Sequence, residues 1–369
     1  MEVSNNNFTM NVNEINLSLN GCGYLGIYHV GVCSCIKKYC PQILKNKISG
    51  GSVGALVACA FLCDVPLDVC ARYVFDVSMK VRNGILGPMS PDLNIMGVLY
   101  ESMNAMLPPD AHSICDGKLH ASATHFDSGK NVLLNSFSSR DELLRSLMCS
   151  CFIPLYCGYE PPCIDGERYV DAALSNNSPW LNKYTVTVAP FSGNSDICPE
   201  NDGMFLKAFT LSNTSIGLSP KNMYMLFRVL FPAAPEIQKE ICQQGFDDAL
   251  RFLRDNGLVP CPDCQGSGKP DHLSCKPPKD TVQPEITNEI ERAIVEFNKD
   301  FGYRLLQYRS MKILYYFNMP SIITAKVAYI AISMILQKVQ KRAGLDDRWK
   351  TFLNVLKGGL YGPRSAQLK

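Results

Sequence analysis

The sequence predicts an α/β fold, on the strength of two strand–turn–helix units near the N-terminus and enough apolar residues for a large core. Ile15–Leu19 alternates apolar and polar residues as a strand does, and the glycine-rich stretch Asn20–Gly26 follows it. Ile27–Tyr39 then carries a helical pattern, with Pro41 just past its end. Lys47-Ile48-Ser49 leads into a second tight turn and a helix over residues 55–63. That alternation is the rhythm of helices packed on a sheet. Of the 369 residues 46% are apolar, which supports a sizeable core and argues against disorder as the global state.

Further along, Lys118–Phe126 and Asn131–Phe137 are strand-like runs joined by Asp127-Ser128-Gly129-Lys130, the pattern of a hairpin. Ser138-Ser139-Arg140-Asp141-Glu142 opens a helix, with Ser139 as cap and Glu142 three residues on. Tyr169–Ala172 and Tyr184–Ala189 read as two more short strands. The α/β pattern fades near residue 255. The organisation expected is therefore a disordered leader over 1–13, one α/β domain over 14–255, a Pro/Cys-rich linker over 256–285 and a helical region over 286–369. Ile286, Ile290, Ile294 and Phe297 form the stripe that opens this last region.

A net charge of +2 gives no global attraction to nucleic acid, and none is expected as a partner. The 17 cysteines are odd in number and irregularly spaced, unlike a secreted disulfide framework. The N-terminus lacks the basic and apolar regions of a signal peptide. Both features predict a reducing, cytosol-facing environment in which most cysteines act as small buried apolar residues.

The chemistry concentrates in Gly50-Gly51-Ser52-Val53-Gly54. A Gly-x-Ser-x-Gly turn between strand and helix is a nucleophile elbow: glycines at 50 and 54 relieve crowding, and the helix N-terminus points amide groups at the hydroxyl of Ser52. Such a serine needs a base. Of the five histidines only His272 follows the candidate acid in the chain, and it stands in the Cys/Pro-rich stretch. An aspartate in direct contact can take that role. Asp171, in Arg168-Tyr169-Val170-Asp171-Ala172-Ala173, is the best candidate; capping of the turn that follows is its alternative, and Asp165 is a rival. The loop Gly21-Cys22-Gly23-Tyr24-Leu25-Gly26 has two readings. It matches a dinucleotide fingerprint, although the acidic residue expected about 20 positions later is missing. It also suits an oxyanion hole, where glycines let backbone N–H groups approach a developing alkoxide.

Taken in this order, Gly21–Gly26, Gly50–Gly54 and Asp171-Ala172-Ala173 resemble the three motifs of the patatin-like phospholipase family. Cys149–Gly158, Arg168–Asp171 and Pro190–Pro199 are similar to its animal branch, that of adipose triglyceride lipase and adiponutrin. The resemblance covers residues 14–255 strongly and the tail loosely. It implies a three-layer α/β/α sandwich with a C-terminal helical, lipid-associating extension. It further implies a Ser52–Asp171 dyad without histidine, an oxyanion hole at Gly21–Tyr24, and hydrolysis of acylglycerol esters with no cofactor and no metal. The family usually has glycine where Ala172 stands. If that position needs φ > 0, alanine strains the loop by about 1 kcal/mol or more. That leaves a weakly catalytic droplet-bound regulator open beside the enzyme, with transacylase and phospholipase A as close variants.

The partners expected are a neutral lipid ester, a lipid droplet or membrane surface, and an α/β-hydrolase-type coactivator protein. Ile322–Leu336 is apolar but too short to span a bilayer and is broken by Lys326. Leu345, Trp349, Phe352, Leu353 and Leu356 recur at helical spacing. Residues 338–369 carry eight Lys/Arg against two Asp, a net of +6. An apolar stripe with tryptophan and a basic flank suits a helix lying on an anionic lipid surface, peripheral to the cytosolic face. Cys261, Cys264, His272 and Cys275 offer zinc ligands at a spacing that matches no standard module, so no metal is assigned to them.

Overall fold

A computed structural model of the chain describes residues 12–82, 93–200, 208–259 and 280–299. Residues 1–11 of the leader expected over 1–13, the cysteines at 261, 264 and 275 with His272, and the segments 322–336 and 338–369 lie outside the described residues. The last two leader residues are ordered, Val12–Glu14 forming a 3-10 turn with Val12 packed against the core.

The strands are β1 (Asn16–Leu19), β2 (Ile48–Gly51), β3 (Leu119–His125), β4 (Asn131–Leu134), β5 (Cys163–Ile164), β6 (Glu167–Val170) and β7 (Thr185–Val188). They form one mixed sheet in the order β5-β6-β3-β2-β1-β7, with β4 paired to β3. The pairs β1–β2, β1–β7 and β2–β3 are parallel; β4 and β6 run antiparallel to β3. β1 and β2 are buried along their whole length, as parallel strands covered on both faces must be. Their polar side chains are paired: Ser49 donates to the Pro179 carbonyl at 2.8 Å, and the hydroxyls of Ser18 and Ser178 lie 3.5 Å apart. A separate hairpin joins β8 (Ala208–Leu211) to β9 (Thr214–Gly217).

The α-helices described are α1 (Gly26–Tyr39), α2 (Val53–Leu62), α3 (Leu67–Arg82), α4 (Ile95–Met106), α5 (Ala111–Cys115), α6 (Arg140–Cys151), α7 (Pro220–Leu230), α8 (Pro235–Asp255) and α9 (Pro284–Lys299), with short 3-10 turns between some elements. With the sheet they make the α/β/α arrangement expected of the sequence. α1 is buried from Gly26 through Ile36 and packs along α8, where the Tyr28 hydroxyl donates to Asp248 Oδ2 at 2.8 Å. The expected cap of α6 forms: the Glu142 amide donates to Ser139 Oγ at 3.2 Å, and the Glu142 carboxylate accepts from the Ser138 amide at 2.8 Å. None of the described helices is long and apolar enough to cross a membrane.

Several boundaries differ from the sequence reading. The strand expected over Tyr169–Ala172 is Glu167–Val170, with Ala172 opening a helical turn, and α9 starts at Pro284, inside the expected linker. α2 begins at Val53 rather than residue 55, because the chain turns into the helix directly at Ser52. The second hairpin strand stops at Leu134 rather than Phe137. Packing on the common core continues past residue 255, along α9 as far as Ile294. The stripe of α9 is the one the sequence shows: Ile286 and Ile290 are buried in the common core, and Ile294 packs against it. Arg72–Glu289 at 3.1 Å and Lys239–Glu291 at 2.9 Å border this contact. Exposed pairs contribute little, so apolar burial holds α9 in place.

Ile286→Ala should lower the unfolding free energy by about 2–4 kcal/mol, as a buried aliphatic truncation does. Val295→Ala on the same helix, where the side chain is 55% exposed, should stay within about 0.5 kcal/mol. Urea denaturation of both variants measures the difference.

Candidate active site

β3 presents one edge to β4 from Ala121 to Thr124, which leaves its other edge for two strands in succession. β2 occupies it from Leu119 to Ser122, and β6 occupies it at Thr124 and His125. β2 runs parallel to β3 and β6 antiparallel, so their C-terminal ends approach each other beside Ala123. The chain leaves β2 at Ser52 and leaves β6 at Asp171. Sheet topology alone thus brings these residues to the same place from 119 positions apart.

Ser52 has φ 50° and ψ −130°, a conformation that costs a non-glycine residue about 1–3 kcal/mol. Neighbouring backbone leaves no room for a Cβ at either flanking glycine. One on Gly50 would lie 2.6 Å from the Gly54 carbonyl carbon, and one on Gly54 would lie 2.2 Å from the Leu19 carbonyl oxygen. Ser150 holds the turn: its Oγ accepts from the Ser52 amide at 2.8 Å and donates to the Ser122 carbonyl at 2.6 Å.

Asp171 is buried, and its two carboxylate oxygens differ. Oδ1 accepts from the Ala173 amide at 2.8 Å and caps a single helical turn, Ala172–Leu174. Oδ2 is buried and makes no hydrogen bond at full bonding distance among the described residues, while the Ser52 hydroxyl stands near enough to the carboxyl to pull on its pKa. The capping alternative raised by the sequence is therefore true of one oxygen, and the other remains available. Burial pushes the carboxyl up to about 6, against the opposing pull of the Ala173 amide and the Ser52 hydroxyl. The main chain of Asp171 is fixed as well: its amide donates to Phe152 at 2.8 Å, and its carbonyl accepts from Thr124 Oγ1 at 2.8 Å. Asp165, the rival, sits in the exposed turn between β5 and β6 at φ 52°.

The glycine loop passes over the elbow. A Cβ on Gly21 would lie 3.0 Å from Ser52 Cβ and 2.2 Å from Asn177 Oδ1. Gly21 is clamped by Asn177, donating its amide to the Asn177 carbonyl at 3.3 Å and accepting from the Asn177 side chain at 2.9 Å. Gly23 has φ 52°. The Gly21 amide is thus engaged, whereas those of Cys22, Gly23 and Tyr24 meet no acceptor among the described residues. The Cys22 side chain is buried away from solvent, so only its backbone is in play. Tyr24 stands at the mouth, its hydroxyl 3.4 Å from that of Tyr156.

Ser52 opens into an apolar cleft of about 940 Å³, its solvent-facing mouth included. Val53, Leu56 and Val57 of α2 form one wall, Tyr73, Val74 and Val77 of α3 another, and Leu99, Met103 and Met106 of α4 a third. Gly23, Tyr24, Tyr156, Val229 and Leu230 edge it, and Cys151 lies against the serine. Among the described residues no histidine lines this cleft. His29 is buried in α1, with Nε2 bonded to the Asn20 carbonyl at 2.7 Å, and burial pushes its imidazole down to about 4.

The sequence reading does not identify Ser150, Asn177 or Cys151. Ser150 and Cys151 stand in Cys149–Gly158, quoted above only for likeness, and no local spacing sets Ser150 apart from another helical serine. The expected strain at Ala172 is absent. Ala172 has negative φ and a buried methyl group against Gly51, where a Cβ would lie 2.9 Å from it. Ala172→Gly should therefore destabilise the fold by about 1 kcal/mol, through a lost buried methyl and added chain entropy. A gain in melting temperature would show that alanine strains the loop after all.

The model of the family described as patatin-like phospholipase matches residues 17–182, a span that contains every residue of the elbow, the glycine loop and Asp171. Patatin-like phospholipase domain-containing protein 2 of Mus musculus is 39% identical over 302 residues, covering 81% of this chain and 60% of its own length. The Homo sapiens protein of that name is 40% identical over 285 residues, covering 76% and 55%. 1-Acylglycerol-3-phosphate O-acyltransferase Pnpla3 of Mus musculus is 33% identical over 348 residues, covering 87% of this chain and 83% of its own. The chain spans between half and two-thirds of the length of the first two. Motif order, site geometry and overall similarity agree: the chain belongs to the patatin-like phospholipase family.

Proposed function

We propose that this chain is a serine acylhydrolase that releases fatty acid from acylglycerols at a lipid surface, using Ser52 and Asp171 as a dyad. One observation carries the reading: a strained serine at the end of an apolar cleft stands beside a buried carboxylate whose second oxygen is unpaired. Asp171 takes the hydroxyl proton as Ser52 Oγ attacks the ester carbonyl carbon. Loop amides among Cys22–Tyr24 receive the oxyanion, where a single such donor contributes about 3–4 kcal/mol. Collapse breaks the bond to the alkoxy oxygen, and the proton on Asp171 passes to the departing alcohol. Water then attacks the acyl-enzyme, gives its proton to Asp171, and releases the fatty acid as Ser52 regains a proton.

The apolar walls suit an acyl chain, and the edge of the cleft suits an interface. Met223, Tyr224 and Leu230 of α7 are exposed large apolar residues, and Leu230 also lines the cleft. A soluble surface seldom concentrates such residues at one opening without a partner. The basic, apolar pattern over residues 338–369 points the same way. The unstrained Ala172 removes the feature that favoured a weakly catalytic regulator. Acyl transfer remains the second reading, because one relative carries the name of an acyltransferase. An acceptor alcohol replacing water at the acyl-enzyme would give that outcome.

A fluorophosphonate probe should label Ser52 in the wild type, fail on Ser52→Ala and label Asp171→Asn weakly. Fatty-acid release from triolein emulsion should vanish in Ser52→Ala and fall at least about a hundredfold in Asp171→Asn. Full labelling of Asp171→Asn would sink the dyad. Release from phosphatidylcholine vesicles alone would place the substrate among phospholipids.

The raised carboxyl sets the pH dependence. A base must be ionised to act, so kcat/KM should drop about tenfold per pH unit below a limb near 6. The linkage to stability has the opposite sense. A carboxyl whose folded value lies above its unfolded one favours the fold at low pH and loses that contribution as pH rises through about 6. Asp171→Asn should therefore be inactive yet more stable than wild type at pH 8, by thermal melting.

A further inference from the structure

Cys59, Cys63 and Cys115 bring their three sulfurs within 4.8 Å of one another, in a place the acyl chemistry does not use. Cys59 and Cys63 lie one turn apart at the C-terminal end of α2, and Cys115 closes α5. The sulfurs of Cys59 and Cys115 are 3.7 Å apart, as are those of Cys63 and Cys115. A tetrahedral ion with metal–sulfur bonds of about 2.3 Å needs sulfur–sulfur edges of about 3.8 Å. Two edges of the cluster already have that length. Among the described residues no other trio of His, Cys, Asp or Glu converges in this way.

From this geometry we infer that Cys59, Cys63 and Cys115 form a binding site for a thiophilic d¹⁰ cation, with zinc as its occupant. Cys59 and Cys115 are fully buried and Cys63 is half-buried, so the open fourth position faces solvent from the Cys63 side. Binding converts three thiols to thiolates, releases three protons to solvent and leaves water as the fourth ligand. The consequence is mechanical. α2 begins at Val53, directly after Ser52, and its other end would be tied to α5, the last helix before β3. The ion would therefore fix the helix that carries the nucleophile without touching the reaction. The site shares no residue with the Cys261, Cys264, His272 and Cys275 set considered from the sequence.

The test uses the full chain, reduced with a phosphine, and titrates Co²⁺ while following the thiolate-to-cobalt charge-transfer band. One equivalent should generate the band and Zn²⁺ should abolish it. Cys63→Ser and Cys115→Ser should lose the band, while a Cys261→Ser/Cys264→Ser double variant keeps it. A second measurement needs no variant: Zn²⁺ should slow alkylation of Cys63 at least about tenfold and leave exposed Cys163 unchanged. Absence of the band, its loss only with Cys261 and Cys264, or an unchanged alkylation rate at Cys63 would each overturn the site.

Discussion

Along one edge of β3, two strands meet end to end, and the rest of the site depends on that meeting. A parallel neighbour supplies the serine turn, and an antiparallel neighbour arrives from the opposite direction with the aspartate. Neither residue is placed by a flexible side chain reaching across solvent. Both leave strands whose backbone hydrogen bonds fix them within the sheet, and Ser150, Thr124 and Phe152 hold the exits. Rigid elements give better positioning than loops, and a proton transfer between two short side chains tolerates little displacement.

Burial then raises the basicity of the aspartate, which the proposed dyad requires. In water a carboxylate is too weak a base to draw a proton from a serine. Here the surroundings raise it to about 6, and only one of its oxygens is occupied by the Ala173 amide. The same burial destabilises the ionised form, so the fold carries a local penalty where its chemistry lies. The positive φ at Ser52 adds a second penalty at the same point. The common core formed by α1, α2, α8 and the sheet is what offsets both. The apolar cleft completes the arrangement: its walls offer the surroundings that the acyl chain of the proposed substrate would prefer.

Much of this was legible before any coordinates. The elbow glycines, the glycine loop, the capped helix at Ser139 and the α9 stripe are local signals, set by steric crowding and by helical or strand periodicity. The misreadings lie where tertiary contact overrides a local rule. Ala172 looked like a strained substitution because its conformation was read from a motif; in the fold it is an ordinary helical residue with a packed methyl. The sequence pattern places the end of the domain near residue 255, because the following stretch is rich in proline and cysteine. Yet α9, which starts at the end of that stretch, buries Ile286 and Ile290 in the same core.

By itself the sequence determined the chemical types and their order: a serine among glycines, a donor loop before it, and a carboxylate far after it. Those follow from residue identity, since a crowded turn admits only hydrogen as a side chain and a hydroxyl needs a base. Tertiary structure decided which carboxylate oxygen is free, that Asn177 occupies the Gly21 amide, and that Ser150 supports the turn. It also decided that three of the 17 cysteines converge at the far end of α2, the helix that follows Ser52. The physical reason is that each of these is a contact between segments distant in the chain, and such distances are set only when strands pair and helices pack.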